Sequence, residues 1–177
     1  MAARGASATL GAERTGEWPR LAERGATPVE LKNQVTMAAP PEVVYAALTS
    51  PESLVETMPG LKQLTAVGPG KYDAVLELGI SAVRGRYAGT MEIRDPTPPR
   101  SYRLEMDGKG PGAFVHVALS VAIEPAPPGS LVQYQGEAQV GGTLAGIGQR
   151  VMGGVSQMLL SQFFSAVGRA AERQAKA

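Results

Sequence analysis

Residues 29–60 read VELKNQVTMAAPPEVVYAALTSPESLVETMPG, and the pattern changes character twice. Val29, Leu31, Asn33, Val35 and Met37 alternate with Glu30, Lys32, Gln34 and Thr36, which predicts a half-buried strand. Ala39-Pro40-Pro41 breaks it, and Glu42 to Leu48 reads as a short helix with proline near its start. Ser50-Pro51-Glu52-Ser53 opens a second short helix that stops at Met58-Pro59-Gly60. Helices this short are not stable alone and must lie against another layer.

That layer follows directly. Leu61 to Val67 and Lys71 to Leu78 flank Gly68-Pro69-Gly70, a hairpin signal. Val83 to Arg94 is the next strand, ended by Asp95-Pro96-Thr97-Pro98-Pro99. Ser101 to Met106 is closed by Gly108-Lys109-Gly110-Pro111-Gly112. Ala113 to Glu124 and Leu131 to Val140 are separated by Pro125-Ala126-Pro127-Pro128-Gly129. Proline cannot donate to a sheet ladder, so its place in the connections supports these boundaries. With the first, these make seven strands joined mostly by hairpins, hence an antiparallel sheet.

A long helix is predicted from Thr143 to Arg173. At 100° per residue Met152, Leu159, Leu160, Phe163, Ala166, Val167 and Ala170 share one face. Arg150, Gln157, Ser161, Ser165, Arg169 and Glu172 share the other. Such a helix must cover a sheet. Upstream, residues 1–28 show no clear period and few large apolar groups besides Leu10, Trp18 and Leu21, and read as a mobile extension to a domain spanning residues 29–177.

Composition narrows the chemistry. A chain of 177 residues is one domain with a short appendage, at about 150 residues per domain. Its 17 Lys and Arg against 16 Asp and Glu leave a net charge of +1, which argues against nucleic-acid binding. No cysteine is present, so disulfides, thiolate metal sites and cysteine nucleophiles are excluded. The one histidine, His116, lies out of phase with Val115, Val117, Leu119, Val121 and Ile123, and is expected on the outer face. Glu77, Glu92 and Glu105 are likewise out of phase and mark a solvated face. Gly146-Ile147-Gly148 lacks the third glycine of a dinucleotide fingerprint, and Gly108 to Gly112 has no following helix to cradle phosphate. No paired carboxylates and no metal-ligand cluster appear. Catalytic residues and metal ligands are therefore not expected.

What remains is an apolar interior with small residues in it. Val83, Gly85, Tyr87, Gly89, Met91 and Ile93 share one strand face. Tyr72, Ala74, Leu76, Leu78, Tyr102, Leu104 and Met106 face them from neighbouring strands. Met152, Gly153, Ser156, Leu159, Leu160 and Phe163 come from the helix. Small side chains facing one another across a sheet–helix core leave room for an apolar ligand. The expected pocket is Leu76, Leu78, Val83, Gly85, Tyr87, Gly89, Met91, Tyr102, Leu104, Met106, Met152, Gly153, Ser156, Leu159, Leu160 and Phe163.

The order strand, two short helices, six strands, long helix resembles the helix-grip fold of START-like, polyketide-cyclase-type proteins. In that α+β fold a curved antiparallel sheet wraps the C-terminal helix. Local details resemble the carbon monoxide dehydrogenase G-subunit family, over about residues 29–172. The match is carried by Ala39-Pro40-Pro41-Glu42-Val43-Val44, Met58-Pro59-Gly60-Leu61, Val83-Arg84-Gly85-Arg86-Tyr87-Ala88-Gly89, Gly108-Lys109-Gly110-Pro111-Gly112 and Gln139-Val140-Gly141-Gly142-Thr143-Leu144-Ala145. The resemblance implies a non-enzymatic accessory role beside a molybdenum-containing carbon monoxide dehydrogenase or related hydroxylase. Such an enzyme must pass electrons to a membrane quinone, and the apolar pocket suggests that quinone, menaquinone or ubiquinone, as the ligand. A cyclase or dehydratase, or a general lipid-transfer protein, is the alternative on the same fold. Longer members carry a hydrophobic C-terminal tail, whereas here the sequence stops soon after the long helix. The expected place is the cytoplasm, with peripheral contact at the inner face of the membrane.

Overall fold

The computed structural model describes residues 27–79, 84–110, 112–142, 144, 146 and 149–176. The elements run β1 (Thr27–Met37), α1 (Pro41–Thr49), α2 (Pro51–Thr57), β2 (Leu61–Gly68), β3 (Lys71–Leu78), β4 (Gly85–Thr97), β5 (Ser101–Gly110), β6 (Ala113–Ala126), β7 (Gly129–Gly142) and α3 (Gln149–Lys176). All seven strands form one antiparallel sheet in the order β1-β7-β6-β5-β4-β3-β2. This is the expected helix-grip architecture.

Both short helices begin at a proline in the first turn, where the missing N–H costs nothing. Ser50 ends α1 and caps α2, its side chain accepting from the Ser53 N–H at 3.5 Å. Val44, Ala47, Leu48 and Leu54 are buried, which is what holds helices of this length in place.

Several boundaries differ from the sequence expectation. β1 begins at Thr27, so Thr27 and Pro28 belong to the sheet; residues 1–26 of the expected extension lie outside the described residues. β4 passes Asp95-Pro96 and resumes pairing at Thr97 with Ser101. The register shift between Arg94 and Thr97 absorbs Pro96, and Asp95 takes φ 49°, a conformation aspartate tolerates better than most residues. β5 runs through Gly108-Lys109-Gly110 to pair with β6, so these glycines are strand rather than turn residues. β6 and β7 extend to Ala126 and Gly129 at their shared end. α3 starts at Gln149, later than Thr143; Leu144 and Gly146 belong to short 3₁₀ turns before it.

α3 packs on β1, α1 and α2. Met152, Val155, Phe163, Phe164, Val167, Ala170 and Ala171 are buried on its inner side. Tyr134 stacks on Phe164 with ring centroids 4.6 Å apart, and Tyr102 meets Tyr45 edge-on at 5.8 Å. These rings, with Met37, Val121, Ile123 and Val132, fill the half of the core beneath α1 and the later turns of α3. The Ser130 hydroxyl donates to the Ala39 carbonyl at 2.6 Å and ties down that end.

Candidate functional site

The other half of the core is not filled. A cavity of about 230 Å³ lies between the sheet and the first turns of α3. Its floor is Ala74, Leu76 and Leu78 of β3, Tyr87, Gly89 and Met91 of β4, Met106 of β5 and Val115 and Val117 of β6. Ala138 and Val140 of β7, Leu31 of β1 and Leu144 close the back, and Met152, Val155, Ser156, Leu159 and Leu160 of α3 form the roof.

The cavity has a topological cause. α3 leans on the β1 edge and the two short helices, so the β3–β4 wing of the same sheet stands off from it. Leu31 and Val140 at the back, Met91 on the floor and Met152 on the roof are buried. Leu76 and Leu78 on one lip, and Leu159 and Leu160 on the other, are only half buried. Ala74, Met106, Val115 and Val117 on the floor are half buried too, so solvent enters the cavity, and the opening is the gap between β3 and α3, which share no substantial contact.

The sequence-predicted pocket divides on this geometry. Leu76, Leu78, Tyr87, Gly89, Met91, Met106, Met152, Ser156, Leu159 and Leu160 border the cavity. Tyr102, Leu104 and Phe163 do not: they are core residues of the filled half. Gly85 has φ 147°, a conformation that favours glycine, at the start of β4 and away from the cavity wall. Gly153 lies on α3 beside the lining positions but is not one of them. Val83 lies outside the described residues. Leu31, Ala88, Thr90, Asp107, Gly108, Ala138, Val140, Leu144 and Val155 border the cavity and escaped the sequence argument. For Leu31, Ala138 and Val140 the signal is tertiary: β1 and β7 reach the cavity only because the sheet curls around α3.

Gly89 does not leave space as expected. A Cβ there would overlap the Asp107 carbonyl oxygen and lie 2.8 Å from the Gly108 Cα. Gly89 pairs with Gly108, so two bare backbones press together there. Gly110 serves a similar end: a Cβ there would meet the Tyr87 ring at 2.8 Å, so the ring lies flat across the glycine.

The cavity wall is mostly hydrocarbon, with Tyr87 and Ser156 adding hydroxyl-bearing side chains. Burial pushes the Tyr87 phenol above its ordinary value, so at neutral pH it can donate a hydrogen bond but is a poor base. Asp107 borders the cavity through its backbone. Its carboxylate turns to the outer face, where Oδ1 stands 2.6 Å from Nδ1 of His116. A carboxylate can only accept, so Nδ1 carries the proton. His116 is thus on the outer face as expected, yet buried and satisfied there. Glu92 and Glu105 also face outward, around Arg94 at 3.7 and 2.5 Å. Among the described residues no group of three or more His, Asp or Glu could hold a metal ion, and no helix is long and apolar enough to cross a membrane.

A curved antiparallel sheet gripping a helix over an apolar cavity is the helix-grip fold of the START-like class. The family model of the carbon monoxide dehydrogenase G-subunit, CoxG, matches residues 34–172, and the chain belongs to that family. A conserved protein from Geobacillus kaustophilus is 34% identical, with a TM-score of 0.74 over 82% of this chain and 93% of that one. The Zhui aromatase/cyclase from Streptomyces sp. R1128 shares the fold at 14% identity, TM-score 0.63, over 84% and 96%. Ara h 8.0201 does so at 16% identity, TM-score 0.60, over 83% and 99%. No curated protein is similar to the chain in sequence. Family and fold together point to a ligand-binding accessory protein.

Proposed function

We propose that this protein binds a quinone or a similar isoprenoid or lipid in its cavity and links a molybdenum-containing carbon monoxide dehydrogenase-type enzyme to the membrane or its quinone pool. The observation that carries the reading is the cavity itself, about 230 Å³ walled by Leu, Val, Met and Ala side chains. An apolar pocket with a few polar groups is the usual form of a small-molecule site. Family membership supports the partner. The same reading puts the protein in the cytoplasm, at the inner face of the membrane.

The protein works by binding rather than by turnover. General acid–base catalysis needs a group whose pKa lies near the working pH. The Tyr87 phenol is displaced the wrong way, and the His116 imidazole and Asp107 carboxylate face away from the cavity. Solvent extraction of natively purified protein, followed by mass spectrometry, is expected to yield menaquinone or ubiquinone. Phospholipid alone would favour general lipid transfer. Turnover of a polyketide substrate that disappears in Tyr87→Phe would replace the reading with a cyclase. The partner is tested by adding the protein to the dehydrogenase and membranes, where quinone reduction should become dependent on it.

A further inference from the structure

The cavity is small for the ligands proposed above. Ligand pockets that enclose most of a drug-sized molecule measure about 300–1,000 Å³. This one measures about 230 Å³. A dry cavity of about 150 Å³ takes one benzene ring, so by proportion this one takes about nine or ten non-hydrogen atoms. That is one substituted ring, or two isoprene units.

We infer that the protein encloses only about ten non-hydrogen atoms of its ligand and leaves the rest outside, through the gap between β3 and α3. The back wall does not offer more room. Met91 and Val140 are almost fully buried, and beyond them the Tyr134–Phe164 stack fills the core. The lips do offer an exit. Leu76, Leu78, Leu159 and Leu160 are half buried, and a Cβ at Gly153, one turn before Ser156 and Gln157 on α3, would meet nothing within 4 Å. The capacity rests on the geometry alone; its application to an isoprenoid rests on the proposed function. A ligand with a long tail cannot then be carried through water fully shielded. The protein must act where the remainder of that tail already lies in another apolar phase.

Two titration series test this on the full chain. The first uses n-alkanols from hexanol to hexadecanol, measured by calorimetry. Each buried methylene is worth about fourfold in affinity. Affinity should rise by about that factor per carbon to about ten carbons and then stay level within threefold. A steady rise to hexadecanol, or no binding of any alkanol, overturns the inference. The second uses benzoquinone analogues carrying zero, one, two and four isoprene units. Affinity should level off by the first unit, because the eight non-hydrogen atoms of the ring nearly fill the space and one unit exceeds it. A rise at every unit, up to about a thousandfold for five buried carbons, overturns it. If alkanols level off and no quinone binds, the capacity stands and the quinone reading falls.

Discussion

Gly89 and Gly153 are both glycines near an apolar cavity, and their physics is opposite. At Gly89 a methyl group would overlap the Asp107 carbonyl oxygen, which is backbone and cannot step aside. Gly89→Ala is therefore expected to cost about 1–3 kcal/mol. At about 2–4 °C per kcal/mol, the loss is readable in a melting curve. An unchanged melting temperature would mean that β4 and β5 are not held together as described. Tyr102 offers a second test at this scale. Burial raises its phenol far above the ordinary value, with the neighbouring Tyr45 adding to the shift. The folded state favours the neutral form, so Tyr102 contributes stability in full below about pH 10, the unfolded value. That contribution is lost as pH rises from about 10 toward the raised folded value, because the unfolded chain gives up the proton first. Tyr102→Phe is expected to weaken the fall of stability with pH above 10. An identical alkaline profile would show that the phenol is hydrated.

Among the elements, α3 holds the two features that sequence shows best and worst. Its amphipathic stripe was legible: Met152, Phe163, Val167 and Ala170 are buried, while Arg150, Gln157, Ser161, Ser165 and Arg169 are exposed. Its start was not, because Leu144 and Gly146 continue the apolar period without joining the helix. Strand existence was legible for a similar reason, since alternation fixes which residues face the core. Strand ends were not: β5 continues through Gly108 to Gly110, with the Tyr87 ring against Gly110, and no local signal reports that. Within α3, Gly153 and Gly154 carry a backbone entropy cost with no packing in return, since a Cβ at either meets nothing within 4 Å. Gly153→Ala and Gly154→Ala are each expected to stabilise the protein by about 0.5–1 kcal/mol. A lower melting temperature would mean that the helix bends there to pass a ligand.

For the molecule as a whole, the question is whether the vacant half of the core persists in solution or collapses. Sequence placed small and flexible residues on the right faces, but only the lean of α3 toward β1 decided which half stayed open; hence Tyr102, Leu104 and Phe163 fell on the filled side. Sealed cavities cost about 24 cal/mol per Å³, so about 5.5 kcal/mol is the upper bound on the stability forgone by an open one of about 230 Å³. Ala138 is the test position, being buried at the back wall and bordering the cavity. Ala138→Leu adds three carbons where a ligand would lie. If the cavity persists, the ligand-free protein should gain about 1–2 kcal/mol from the filled void, at about 0.8 kcal/mol per buried carbon before entropy is counted. The melting temperature should rise by a few degrees. Affinity for hexanol or an unprenylated benzoquinone should fall by about tenfold or more, because the same volume cannot be used twice. Collapse predicts the reverse: Leu at this position would meet packed side chains, the melting temperature would drop, and whatever ligand bound would bind as before. The two outcomes have opposite signs in the melting temperature, and only one of them changes the affinity, so a single variant separates a ligand-binding cavity from a loosely packed core.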